Sequence, residues 1–311
     1  MRGWQGEDSG KGVRATAPAP SAGVMLRRAL AGCWWHGGVL EGSVAAAMVA
    51  GTAALAGWSL DGPLLTLAFC GTLLVYYLDR TPALSPEDRH DHPARWRWRH
   101  RHERWATALA MGAAGGACAM LPYLRPQTLA AGAVLAVPAA VYALPRLGSE
   151  KDAGGPALRF KDIGAAKPFA VTAAWAGASV LMPALETGPP LAEAAPLLVL
   201  LAGYRLLFVL PNLLLADAAD QAGASRWPPR RLRRLATRIA AATVAGGGLA
   251  LALCGAPLLL AVELAGPALL LGSVAGRSAT GGRSGRSLAR RADLAMLVPA
   301  LSAALAGTGW A

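Results

Sequence analysis

Apolar segments long enough to cross a bilayer recur along this chain, and nearly all its cations lie in alternate gaps between them. Of 30 Lys and Arg residues, five precede the first segment, and seven, five, six and five follow segments two, four, six and eight. Arg125 lies in another gap, and Arg205 lies inside segment six. A hydrocarbon core of roughly 30 Å calls for about 20 apolar residues per crossing. Backbone polar groups in lipid must be satisfied within the element, which leaves helices for a pattern of long uninterrupted runs. Cations concentrated on one side then orient the bundle, with those loops cytoplasmic. The expected fold class is all-α, a polytopic membrane bundle.

Composition agrees: 54% of residues are apolar and 15% charged. The net charge of +12 would suit nucleic acid in a soluble protein. Its confinement to short loops makes it a topological signal instead, with a lipid bilayer and no nucleic acid as partner. Cys33, Cys70, Cys118 and Cys254 are scattered among apolar residues and form no paired motif, so they read as small packing residues.

Residues 1–24 are rich in Gly, Ser, Ala and Pro and lack apolar periodicity. They read as a disordered cytoplasmic tail, ahead of a membrane domain over 25–311. The segments are placed at 43–60, 62–78, 106–121, 127–145, 168–185 and 194–215, then a hairpin over 239–276 and a last segment from 294. The hairpin turn falls near Gly255-Ala-Pro257. The count is nine spans, or eight if the hairpin is one re-entrant piece. The protein is expected in the plasma (inner) membrane, with its N-terminus cytoplasmic and its C-terminus opposite.

The chemistry gathers where segment six meets a basic loop, at Asn212-Leu-Leu-Leu-Ala-Asp217-Ala-Ala-Asp220-Gln-Ala-Gly223. Residues three apart are neighbours on a helix surface. Segment two ends in Tyr76-Tyr77-Leu78-Asp79-Arg80, which the topology brings to the same membrane face. Carboxylates so placed among cations suit Mg²⁺ bridging to a diphosphate, since Mg²⁺ takes oxygen ligands and pairs a few carboxylates with substrate phosphates. Arg205, Phe208 and Asn212 follow i, i+3, i+7 and make one stripe. An arginine within a span is costly and is expected to face a polar cavity or partner. Glu41 and Glu263 read as intramembrane or boundary acids, nearer an interface than catalytic, Glu41 with the better claim to function from its place at the cytoplasmic end of segment one. The run His90 to His102, with Arg and Trp interleaved, reads as a headgroup-facing basic stretch before a metal site.

This layout resembles the UbiA-type intramembrane prenyltransferases, in which Asp-rich motifs follow helices two and six. The family's second motif, Asp-x-x-Asp-x-x-Gly-Asp, is matched by Asp217, Asp220 and Gly223, with Ala224 in place of the last Asp. The first, Asn-Asp-x-x-Asp-x-x-x-Asp, is matched only around Asp79, with Val75 and Tyr76 where the family has Asn-Asp. Tyr142-Ala-Leu-Pro-Arg146 resembles the family's Tyr-x-x-x-Lys/Arg segment after helix four. The resemblance implies transfer of an isoprenoid chain from a prenyl diphosphate to an aromatic or other lipid-soluble acceptor, with Mg²⁺ as cofactor. Asp79, Asp217 and Asp220 would be the catalytic metal ligands. Arg80, Arg146, Lys161, Lys167 and Arg205 would neutralise the departing diphosphate, Asn212 would orient a ligand, and Tyr142 would line the substrate site. The competing expectation is a reduced homologue that holds an isoprenoid lipid or a partner without turnover, since motif one keeps so few carboxylates.

Reporter fusions test the topology. Fusions at His90, Phe160 and Arg230 should report the cytoplasm, and one at Ala311 the opposite side. A cytoplasmic signal at Ala311 would remove a span and undo the alignment of the two acidic motifs.

Overall fold

A computed structural model describes residues 21–81, 89, 93–143, 166–219, 229–254, 258–278 and 285–307. Among these residues the secondary structure is α-helix with one short 3-10 turn and no strand. The helices are α1 (Ala22–His36), α2 (Val39–Ala56), α3 (Gly62–Asp79), α4 (Pro93–Arg101), α5 (Glu103–Met120) and α6 (Pro126–Ala143). They continue as α7 (Ala166–Thr187), α8 (Leu191–Ala219), α9 (Pro229–Cys254), α10 (Leu258–Ser278), α11 (Gly285–Ala295) and α12 (Pro299–Gly307).

Five described stretches are long and apolar enough to cross a membrane: α2, α3, α5 with the turn after it, 168–187 of α7 and 191–216 of α8. Shorter apolar stretches lie in α6 and α10. Lipid-like surface is plain on α8, where Val199 and Leu200 are exposed, and on α6, where Val134 and Val137 are exposed.

Local chemistry sets the helix ends. Gly38 and Gly57 both have positive φ, 89° and 69°, a region that costs glycine little. They bracket α2, so it runs four residues earlier than the 43–60 expected from hydropathy and takes Glu41 into its first turn. A carboxylate is favoured there by the helix dipole. At α3 the Asp61 carboxylate accepts from the Leu64 backbone N–H at 2.7 Å, an N-cap. The last segment was expected as one span from 294. It is instead α11, a turn over 296–298, and α12, nine residues long and opened by Pro299. Proline suits a first helical position because it has no N–H to donate. Helix α1 lay between the expected tail and the first span and had no element assigned to it.

Helix α2 is the centre of the bundle, with 61% of its span buried. It packs on α3, α7 and α12, and α8 in turn packs on α7, α9 and α11. Deep between α2, α8 and α10 lies a polar knot. Arg205 is fully buried and donates to both carboxylate oxygens of Glu263, Nη1 at 2.7 Å and Nη2 at 3.1 Å. Its Nε donates to Thr52 Oγ1 at 3.0 Å, and the Tyr204 hydroxyl donates to Glu263 at 3.2 Å. Gly51 makes room for this: a Cβ there would stand 2.5 Å from Glu263 Oε1 and 2.5 Å from the Pro299 ring.

The pair shows what two of these residues face. Glu263, expected as an intramembrane or boundary acid and more an interfacial one than a catalytic one, is fully buried within the bundle. Arg205 does face a polar partner, but that partner is this carboxylate, so its guanidinium fork is occupied and is not presented to a diphosphate.

Removing one member of such a pair strands a charge, at a cost of about 3–5 kcal/mol, whereas apolar replacement of both is often neutral. Arg205→Met or Glu263→Leu alone should therefore lower the unfolding midpoint sharply, and the double variant should recover most of it. Thermal unfolding of the four proteins in one detergent measures this. Additive losses in the double variant would show that the two residues do not act as a pair.

Candidate functional site

Two turns along α8 from Arg205, toward the end of the helix that carries Asp217, the bundle encloses a cavity of about 50 Å³. Its apolar wall is Leu40, Val44, Trp175, Val209, Leu213, Ala216 and Met296, and its polar members are Glu41, Tyr76, Asn212 and Asp293. These residues come from α2, α3, α7, α8, α11 and the turn after α11. A broader depression of about 390 Å³ on the outer side of α10, near Leu269 and Arg291, has no carboxylate in its lining and offers no comparable set of polar groups.

Asn212 reaches the cavity because the stripe read from the sequence is a buried face. Arg205, Phe208 and Asn212 are 0%, 1% and 3% exposed. Pro196 and Pro211 lie inside α8, and the helix continues through both. The Asn212 side-chain amide donates to the Phe208 carbonyl at 3.0 Å, which leaves its oxygen as an acceptor.

At the rim a second ion pair forms. Arg80 caps α3, and its guanidinium bonds the Glu41 carboxylate. It also lies 4.8 Å from the Tyr76 ring centroid and donates to the His36 carbonyl at 3.4 Å. Burial works against the charge on Arg80, but Glu41, through both its charge and the hydrogen bond, together with Tyr76 and Asp79, raises the guanidinium pKa overall. His36 is moved the other way. Burial first, then Arg80, Arg290 and Arg95, push its pKa down from 6.5 to about 4, against a weaker opposite pull from Glu41. The imidazole at this rim is neutral at physiological pH.

The expected site residues divide accordingly. Asp79 closes α3, one turn after Tyr76, and Asn212 lines the cavity. Arg80 borders it but is already paired. Arg205 belongs to the deeper knot. Asp217, Tyr142 and Lys167 lie on described helices, α8, α6 and α7, but their side chains are outside the description. Asp220, Arg146 and Lys161 lie outside the described residues.

The Mg²⁺ set is therefore described at α3 and along the α8 backbone only. Among the described residues no three His, Cys, Asp or Glu side chains gather to hold a metal, and Glu41 is committed to Arg80.

The basic stretch folds as α4. Trp96 stacks on His100 at 5.2 Å, and Arg99 is buried with its guanidinium 3.9 Å from the Tyr77 ring centroid. Arg97 and Arg101 remain exposed. His90 and His92 lie outside the described residues.

Sequence reasoning missed Asp293, which belongs to no motif. It is the only acid after Glu263 and follows Arg290-Arg291-Ala292, and that isolation was the available signal. No family model matches the chain, and no curated protein or solved structure matches it either.

The depressed His36 pKa has a consequence of definite sign. Between about 4 and 6.5 the unfolded chain binds more protons than the folded one, so stability rises with pH across this window. His36 therefore contributes to a loss of stability as pH falls from 6.5 toward 4. The ring is only partly buried, so solvent screens the effect. His36→Gln should flatten the change in unfolding midpoint between pH 7 and pH 5, and an unaltered slope would remove His36 as its source.

Proposed function

We propose that this chain is an intramembrane prenyltransferase, moving an isoprenoid group from a prenyl diphosphate to an aromatic or other lipid-soluble acceptor. The observation that carries the reading is the makeup of the cavity. It is walled by apolar side chains within an apolar helical bundle, and it lies between the ends of α3 and α8. Those are the two segments that lead into Asp79 and into Asp217 and Asp220. In this reading α2, α3, α5 to α10 and the α11–α12 pair are the nine spans of a UbiA-type bundle. The loops rich in Lys and Arg lie in the cytoplasm, and the membrane is the plasma (inner) membrane.

The reaction breaks the bond between the allylic carbon and the diphosphate oxygen, with the electron pair leaving on the diphosphate. The acceptor supplies the new pair to that carbon and loses a proton. Tyr76 and Trp175 present aromatic rings at the cavity, and such rings attract developing positive charge. Arg80 and Arg205 are held by Glu41 and Glu263, so the diphosphate in this reading is met by Arg146, Lys161 and Lys167. Dependence on Mg²⁺ rests on Asp79, Asp217 and Asp220, not on Glu41 or Asp293.

A second reading, a protein that holds an isoprenoid lipid without turnover, draws on the same two ion pairs. Both arginines nearest the bundle interior are neutralised from within the chain, which leaves less positive charge for an anion than the sequence alone suggests.

Titration with farnesyl diphosphate, with and without Mg²⁺, separates the two. Asp217→Asn or Asp220→Asn should abolish the Mg²⁺-dependent part of binding and any transfer. Asp79→Asn should weaken binding roughly tenfold, the equivalent of about 1.4 kcal/mol. Wild-type binding by Asp217→Asn would favour the second reading.

A further inference from the structure

Two buried acceptor oxygens on the wall of this cavity have no hydrogen-bond partner among the described residues: Glu41 Oε2 and Asn212 Oδ1. Each belongs to a residue whose other polar atom is satisfied. Glu41 Oε1 takes the Arg80 guanidinium, and Asn212 Nδ2 donates to the Phe208 carbonyl at 3.0 Å. The Asn212 amide is thus oriented with its oxygen as the acceptor, and the residue is 3% exposed. Leaving a buried polar atom unpaired is costly, and such an atom normally has a partner. These two residues come from different helices, α2 and α8, and line one cavity.

The missing partner is a donor. From this geometry we infer that the cavity is a binding site for the uncharged O–H or N–H head of a lipid-soluble molecule, which donates to Asn212 Oδ1 and leaves Glu41 Oε2 for a second N–H or a water. The volume of about 50 Å³ exceeds what one water needs, roughly 10–15 Å³ on the same measure, and suits a small head group. The apolar wall of Leu40, Val44 and Met296 suits the first part of an alkyl chain. An anionic head, carboxylate or phosphate, would set its own acceptor oxygens against those of Glu41 and Asn212. A cationic head would compete with Arg80, which borders the cavity and already takes the Glu41 carboxylate, although Asp293 also lines it. A neutral donor satisfies an acceptor here and adds no charge beside Glu41, Asp293 and the bordering Arg80. The inference goes beyond the transferase reading, because it concerns the cavity whether or not a diphosphate binds.

The test uses 1-decanol, its methyl ether and decanoate, added to the full chain in phosphatidylcholine nanodiscs, whose lipid carries no hydroxyl donor. No diphosphate or Mg²⁺ is present, so the outcome is independent of the transferase reading. The readout is the probe concentration that gives half the maximal rise in unfolding temperature. Decanol should act at a concentration about tenfold below the ether, a factor equivalent to about 1.4 kcal/mol, and decanoate should do no better than the ether. Asn212→Leu removes an unpaired buried acceptor and should fold at least as well as wild type. In that variant the preference for decanol should fall close to one. Equal action of decanol and ether on the wild type, or no rise with any probe, means that water alone fills the cavity and overturns the proposal without recourse to a variant. A full preference for decanol in Asn212→Leu would overturn the role of Asn212.

Discussion

The bidentate pair between Arg205 and Glu263 is the interaction on which the arrangement of α2, α8 and α10 depends. Neither side chain has measurable exposure. Two charges at that depth are tolerable only while they face each other with their remaining hydrogen bonds met, here by Thr52 and Tyr204. The pair therefore acts as a register pin. Sliding α10 along α8 by one turn would separate the charges, and rotating α2 would withdraw Thr52 and bring a side chain where Gly51 leaves space. With α8 held this way, Asn212, two turns on, is carried to the wall of the cavity.

The Arg80–Glu41 pair repeats the arrangement at the rim. In both cases an arginine from the end or middle of one helix is answered by a glutamate from another, and the two arginines stack near tyrosine rings. The repetition matters for function. A membrane protein that binds a diphosphate needs uncommitted cations near the headgroups, and these two are committed. Positive charge for an anion would then come from other cations, whereas the cavity itself presents acceptor oxygens among apolar walls. A polar head that donates, attached to an apolar body, is what such walls accommodate.

Much of this was legible from residue order. Hydropathy placed α3, α5 and α7 to within a few residues because length and apolarity are properties of a contiguous stretch. The stripe of Arg205, Phe208 and Asn212 is one buried face of α8, since spacing along a single helix decides which residues share a side. The start of α2 was less legible, because two glycines of positive φ, not hydropathy, determine it.

Sequence by itself determined that this chain is a helical bundle with apolar spans, and that Asp79, Asp217 and Asp220 stand at the ends of α3 and α8 or just beyond. Periodicity and composition are local, and both follow from the backbone's need to satisfy its own hydrogen bonds in an apolar medium. Only the tertiary structure decided what the charges are for. Arg205 and Glu263 are separated by 58 positions, and Glu41 and Arg80 by 39. No helical spacing connects such residues, and an arginine seeking a ligand has the same local sequence as one seeking a glutamate. Asp293 joined the cavity for the same reason, since its position there comes from the packing of α11 on α8 and α2. Pairing across a bundle depends on which helices touch and at what register, and those are properties of the packed whole.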